Sequence, residues 1–237
     1  MAKIIIAENP LNEISVAREL LPPSLDAVVA RHGTPEFQAA LADAVCLVGF
    51  GDGTMDDAFY KSAPNLKLVQ LLSAGYDRCD IEAARRAGVP ICNNGGANST
   101  AVSEHAILLM LAVCRRIVWQ HNNVAAGRWR GNNVDDIKLY ELKGRTLGIV
   151  GLGTIGKKTA RLAQAFGMHV QYYDTTRLTE EQADGMGVRF SLFEEVLRTS
   201  DVVSLHVPLS KQTKHMMGAA QFKMMKPTAY QIGRAHV

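Results

Sequence analysis

The stretch TLGIVGLGTIGKKTARLAQAFGMHVQYYD, residues 146–174, decides the fold. Its opening, TLGIV, reads as a short buried strand. Gly151, Gly153 and Gly156 follow at once in G-x-G-x-x-G spacing. They open a helical pattern that carries Ile155, Thr159, Leu162, Ala163 and Phe166 on one face and ends at Gly167. A second strand then finishes at Asp174, with seventeen residues between it and Gly156. Three glycines at these offsets are a weak signal alone. Strand, tight turn, helix, strand and terminal acid in this order identify a dinucleotide-binding unit.

Each part has a physical task. Gly151 permits the tight strand-to-helix turn, Gly153 lets the backbone approach a pyrophosphate, and Gly156 allows the helix to pack closely on the strand. The first-turn amides of Thr154, Ile155 and Gly156 lack intrahelical acceptors and point at the phosphates. Asp174 is expected to accept hydrogen bonds from the adenosine ribose and to repel a 2′-phosphate. The cofactor expected is therefore NAD rather than NADP, with Arg177 softening that preference.

Outward from this unit the same alternation continues. SLFEEVLRTS reads as helix, DVVSLHVP as strand, KQTKHMMGAAQFKMMKP as mainly helix, and TAYQI as the start of a further strand. Toward the N-terminus, strands are expected at residues 3–7, near Val28, and at 44–50, 66–72 and 88–93. Thr34-Pro35 should cap one helix, Thr54 with Asp57 a second, and Asp80 a third that Gly88 closes. A longer helix is expected over about residues 100–118, with Glu104 in its first turn, Arg115-Arg116 near its end and an apolar middle buried between two layers. The polar segment after it, residues 121–136, reads as a loop or arm. Alternating strands and helices of this kind imply an α/β fold built on parallel sheets.

Composition narrows the function classes. The net charge of +3 comes from 26 basic and 23 acidic residues with no basic block, which gives no reason to expect a nucleic-acid or membrane partner. The longest apolar run, residues 106–113, is far shorter than the ~20 residues that cross a bilayer, and no export signal is expected at the N-terminus. Cys46, Cys79, Cys92 and Cys114 show no CxxC spacing, so reduced cysteines, no metal site and a cytoplasmic location are expected.

Four separated segments resemble one family in order and spacing. They are LLSAGYDRCDI, NNGGANSTAVSEHAILLMLAVCRR, the stretch from ELKGRTLGIV to QYYD, and SDVVSLHVPLSKQTKHMM. The family is that of the D-isomer-specific 2-hydroxyacid dehydrogenases, which includes phosphoglycerate dehydrogenases and glyoxylate and hydroxypyruvate reductases. The resemblance implies two domains. Residues 1–98 would be a flavodoxin-like substrate domain, and residues 99–237 a Rossmann NAD-binding domain. It implies a small 2-hydroxy or 2-oxo acid substrate and a homodimer built on the cofactor domain. It assigns Ala74 and Gly75 to the substrate carboxylate, Asn98 to the hinge by the substrate, and Val102 to the nicotinamide half. His206, Pro208 and Thr213 would line the adenine side, although an ordinary strand exit and helix cap would also account for Pro208 and Thr213. Glu104 and His105 are adjacent on a helix and point about 100° apart, so they cannot pair with each other; both are read as structural. His206 is read as a cofactor-side or packing residue rather than a base.

Oxidising a 2-hydroxy acid also needs a cationic clamp, a general base and a carboxylate that orients the base. The family supplies these as Arg, His and Glu beyond the strand that opens here at Thr228. At the arginine's place stands His236, with Arg234 two residues early, and the Glu and His have no counterparts. No catalytic residue is therefore assigned, and the chain is expected to be an inactive fragment. Its last seven residues, QIGRAHV, back-translate as CAG ATC GGA AGA GCA CAC GTC, the start of a sequencing adapter read in frame. The native sequence is expected to end at Tyr230, with residues 231–237 a non-native tail, and a genuine short C-terminus is the competing reading. Two alternatives stay open: a non-enzymatic dinucleotide-sensing scaffold like the corepressors of this fold, and a dehydrogenase for formate or phosphite.

Overall fold

A computed structural model describes residues 3–8, 19, 21–49, 51, 53–129 and 138–233. The chain divides into two compact units, Met1–Ala97 and Asn98–Val237, and each is described by itself.

In the first unit the order is β1 (Lys3–Glu8), β2 (Asp26–Arg31), α1 (Pro35–Leu41), β3 (Ala44–Gly49), α2 (Asp57–Ser62), β4 (Leu68–Leu71), α3 (Ile81–Ala87) and β5 (Ile91–Cys92). All pairings are parallel, in the order β2-β1-β3-β4-β5. That is the flavodoxin-like strand order. Ile5, Leu47, Val69 and Leu71 from the strands bury against Phe37, Leu41, Phe59 and Ala83 from the helices. Thr34 caps α1 by accepting from the Phe37 amide at 3.3 Å, and Asp80 caps α3 through the Ala83 amide at 2.9 Å. Gly88 closes α3 at φ 71°, in the left-handed region that glycine adopts without steric cost.

Two local expectations need correction here. The cap of α2 is Asp56, whose Oδ1 accepts from the Phe59 amide at 2.9 Å. Thr54 instead bonds His32 Nε2 at 3.1 Å. Both residues can cap, and Asp56 is the one at the extended residue where the helix starts. β5 has two residues rather than six, because Gly88 is used as the helix cap and Pro90 has no N–H for a ladder.

The second unit runs α4 (Ser99–Cys114), α5 (Ile117–Ala125), β6 (Thr146–Val150), α6 (Thr154–Ala165), β7 (His169–Tyr173), α7 (Glu180–Met186), β8 (Val188–Phe190), α8 (Phe193–Thr199), β9 (Val202–Leu205), α9 (Ala219–Met224) and β10 (Tyr230–Ile232). The sheet is parallel in the order β10-β9-β6-β7-β8. Counted from β6 this is 3-2-1-4-5, the strand order of dinucleotide-binding sheets. Period-two alternation assigns the faces. Leu147, Ile149, Val170, Tyr172 and Val202 pack with Ala106, Met110, Ala160 and Ala163 of α4 and α6. Val150, Val203 and Leu205 pack with Val196 and Leu197 of α8 and with Met217.

The helix expected over 100–118 is two helices. Arg116 takes φ 51°, and the carbonyl of Cys114 accepts from the Tyr140 amide at 3.0 Å instead of continuing the helix. Residues 121–125 are helical rather than loop, and residues 130–136 of that segment lie outside the described residues. Glu104 falls beyond the first turn of α4, which begins at Ser99. The middle of α4 is buried on one face only, since Leu108 is 58% exposed. On α6 the buried set is Gly156, Thr159, Ala160 and Ala163, while Phe166 is 44% exposed at the helix end. α7 and β8 have no counterpart in the sequence reading. Of residues 211–227 only Ala219–Met224 is α-helical.

One carboxylate ties the amino-end edge of this sheet together. Asp201 Oδ2 accepts from the Thr146 amide at 2.8 Å and Oδ1 from Lys226 Nζ at 2.9 Å. The Tyr230 amide donates to the Asp201 carbonyl at 3.1 Å, which starts β10. Burial pushes the Asp201 carboxyl up, but the Thr146 bond and Lys226 outweigh it and hold it below the ordinary carboxylate value. A depressed folded-state pKa gives stability above the unfolded value and loses it as pH falls through the folded value. Asp201→Asn should therefore cost about 1–3 kcal/mol at neutral pH. In urea unfolding that gap should close below about pH 4; equal stability at neutral pH would contradict the assignment.

Candidate cofactor site

Three strand ends meet at the carboxyl edge of the second sheet. β6 exits into Gly151, β7 into Asp174 and β9 into His206. The Gly151 amide donates to the Tyr173 carbonyl at 2.8 Å and the His206 amide to the Val150 carbonyl at 2.8 Å. The junction of β6 with β9 is also where strand order reverses, the place where open α/β sheets bind ligands.

The glycines differ in why they are glycines. Gly151 sits at φ 94°, and a Cβ there would lie 2.9 Å from the His206 carbonyl carbon and oxygen. A Cβ on Gly156 would lie 2.3 Å from the Gly151 carbonyl oxygen, so helix and turn touch backbone to backbone. Gly153 is exposed and a Cβ on it would meet nothing within 4 Å, which leaves its backbone open to an approaching group. α6 starts immediately after it at Thr154, with the amides of Thr154, Ile155 and Gly156 in its first turn. Asp174 is fixed rather than free. Its Oδ2 accepts from the Leu152 amide at 2.7 Å and its Oδ1 from the Thr176 amide at 2.9 Å. Oδ1 also accepts from the Thr175 hydroxyl at 3.4 Å, so Oδ2 is the oxygen that keeps a lone pair for a ribose hydroxyl. An open glycine backbone, a helix N-terminus and a fixed acid at the next strand end fit the diphosphate and ribose of NAD.

The remaining candidates fall around this centre or apart from it. Val102 is in the first turn of α4, and Asn98 is its N-cap without a side-chain capping bond. Lys158 Nζ donates to Thr100 Oγ1 at 2.6 Å, which ties the start of α4 to the second turn of α6. The sequence reading missed this tie, and no spacing rule signals it. Pro208 and Thr213 belong to one turn: the Thr213 hydroxyl donates to the Pro208 carbonyl at 2.5 Å and accepts from the Ser210 amide at 2.8 Å. His206 Nε2 is 2.9 Å from Ser204 Oγ, and burial pushes the imidazole down to about 4. It is neutral at neutral pH and offers no positive charge to a phosphate. Glu104 and His105 are both exposed on α4.

Ala74 and Gly75 lie in the first unit, in the turn after β4. Asn93 Nδ2 donates to the Ala74 carbonyl at 2.7 Å and Ser73 Oγ to the Gly75 carbonyl at 2.8 Å. These bonds hold the carbonyls, and among the described residues no acceptor takes the amide hydrogens of Ala74 and Gly75. Among the described residues no group of three His, Cys, Asp or Glu is placed to hold a metal, and no helix is long and apolar enough to cross a membrane. Burial pushes the thiols of Cys46 and Cys114 up, away from reactive thiolate.

Comparison with known proteins agrees with this geometry. The family model described as the D-isomer specific 2-hydroxyacid dehydrogenase NAD binding domain matches residues 107–236. A glyoxylate reductase of Thermococcus litoralis is 42% identical over 182 residues, 75% of this chain and 55% of that protein. One of Korarchaeum cryptofilum is 34% identical over 218 residues, 92% of this chain and 63% of that protein. The chain thus spans less than two thirds of either reductase. The crystal structure of a D-lactate dehydrogenase of Aquifex aeolicus, complexed with NAD and lactic acid, superposes with TM-score 0.81 at 25% identity. That match covers 96% of this chain and 67% of that one. The strand orders, the glycine turn against the β9 exit and a family model over more than half of the residues lead to one conclusion: the chain belongs to the D-isomer-specific 2-hydroxyacid dehydrogenase family.

Proposed function

We propose that the chain holds NAD at the carboxyl edge of its second sheet and serves hydride transfer between a small 2-hydroxy acid and that cofactor. The observation that carries this reading is the convergence of the open Gly153 backbone, the α6 amides and the fixed Asp174 carboxylate at the strand-order reversal. The names of its relatives make glyoxylate the first substrate to try, in the direction of 2-oxo acid reduction. Bound NAD would supply the hydride acceptor, and NADH the donor.

The chain's own residues then divide the work. The amides of Thr154, Ile155 and Gly156 take the diphosphate, and Asp174 accepts from the ribose. His206, Pro208 and Thr213 form a neutral wall on the adenine side. Val102 lies against the nicotinamide half. In the first unit the amides of Ala74 and Gly75 are the groups for a substrate carboxylate, and in the second Asn98 is a substrate-binding residue. The guanidinium clamp, the imidazole base and its orienting acid have no counterparts at the family's positions in these 237 residues, so turnover is assigned to a longer protein, a homodimer as in the family.

The test is an NADH-consumption assay with glyoxylate. The 237-residue chain should give no turnover, while a longer protein carrying the arginine, glutamate and histidine should reduce glyoxylate or a close 2-oxo acid. Turnover by the 237-residue chain would overturn the assignment of the catalytic groups. Inactivity of the longer protein on every small 2-oxo acid would overturn the reaction class.

A further inference from the structure

Arg177 stands three residues beyond Asp174 and does not pair with it. Its Cζ lies over the ring of Phe190, 4.8 Å from the centroid. The segment between is pinned on both sides. The Thr176 amide donates to Asp174 Oδ1 at 2.9 Å, and the Leu178 amide donates to the Tyr172 hydroxyl at 3.0 Å. The backbone of Arg177 is thereby fixed next to the ribose acceptor, and its side chain is exposed. Phe190, on the neighbouring strand β8, is held edge-on to Tyr172 at 5.5 Å and 76°. The ring is a rigid platform that the guanidinium can occupy or leave.

We infer that Phe190 is a cofactor-specificity residue, its ring competing with a 2′-phosphate for the Arg177 guanidinium. This rests on the reading that Asp174 faces the adenosine ribose. With Arg177 on the ring, the Asp174 carboxylate is the nearest charge to the 2′ position, which favours a hydroxyl there. A 2′-phosphate would have to draw Arg177 off the ring before gaining its charge-assisted bonds. At an exposed site that stack is worth roughly a two- to five-fold factor in an equilibrium.

The test uses fluorescence titrations of the 237-residue chain with NADH and with NADPH. Phe190→Leu should tighten NADPH relative to NADH by about two- to five-fold. Phe190→Tyr keeps the ring face and should leave the ratio unchanged. Arg177→Ala should weaken NADPH both in the unaltered chain and in the Phe190→Leu chain, and more in the latter by the same factor. Phe190→Met, also without a ring face, replaces the leucine variant if that one fails to fold. Failure of the unaltered chain to bind NADH would defeat the cofactor reading itself. With NADH bound normally, an unchanged ratio in the ring-free variant, or equal effects of Arg177→Ala in both backgrounds, would overturn this inference.

Discussion

Replacing Gly156 by alanine is expected to destabilise the second unit and abolish most NADH binding. The added Cβ would lie 2.3 Å from the Gly151 carbonyl oxygen, and also 3.3 Å from Ile149 Cγ2. The closer atom is backbone in a turn locked by the Tyr173 carbonyl, so it has little room to give. Alanine gains up to about 1 kcal/mol in helix propensity over glycine. Overpacking against a fixed neighbour costs about 1–3 kcal/mol or more, so the steric term wins. For a chain of this size each kcal/mol lowers the melting temperature by about 2–4 °C. Relief requires the glycine turn to move away from α6, which misplaces the amides proposed to hold the diphosphate. An NADH affinity loss of at least about tenfold should follow, since about 1.4 kcal/mol of lost binding is enough for that. Gly185 on α7 is the control. A Cβ there meets nothing within 4 Å, so Gly185→Ala should stabilise by about 0.4–1 kcal/mol and leave NADH binding unchanged. Thermal melts and NADH titrations of the two variants read both effects. A stabilised Gly156→Ala chain with normal binding would contradict the packing argument.

Asp174→Ala should weaken NADH by about 10- to 100-fold, because it removes a charge-assisted ribose acceptor worth about 1.5–3 kcal/mol. It also removes the acceptor of the Leu152 amide, inside the glycine turn, where Leu152 is buried. A further stability loss of about 1–3 kcal/mol is expected from that stranded donor. Asp174→Asn keeps one acceptor oxygen, which can take the Leu152 amide, but its NH2 faces the Thr176 amide and the charge is gone. It should recover part of the NADH affinity and narrow the gap to NADPH. Titrations of all three proteins with both cofactors separate the roles. Equal NADH affinity in Asp174→Ala would remove Asp174 from the site.

The β6–α6–β7 unit was legible because Gly151 and Gly156 are demanded by backbone contacts that any side chain would break, so the requirement is written in residue identity. The caps at Thr34 and Asp80 and the closing Gly88 were legible for the same local reason. What was not legible depended on partners distant in sequence. The break at Arg116 follows from a bond between Cys114 and Tyr140 that no local pattern reports. α7 does carry a local signal, the Thr179–Gln182 capping box and the left-handed Gly187, although it buries no residue to give an apolar stripe. β8 has three residues, too few for alternation to register. At the site, Gly151 and Asp174 were readable from spacing. The Leu152 amide on Asp174, the Lys158–Thr100 tie and the Arg177 stack on Phe190 were not, since each joins residues that only the folded unit brings together.

On the proposed reading the second unit holds NAD through the glycine turn and Asp174. Titrating the 237-residue chain with NADH, following cofactor fluorescence, tests it most directly. Saturable one-to-one binding, tighter for NADH than for NADPH and lost in Gly156→Ala, is the predicted result. A folded chain that shows no saturable NADH binding up to about millimolar cofactor, a binding free energy weaker than about −4 kcal/mol, would contradict it.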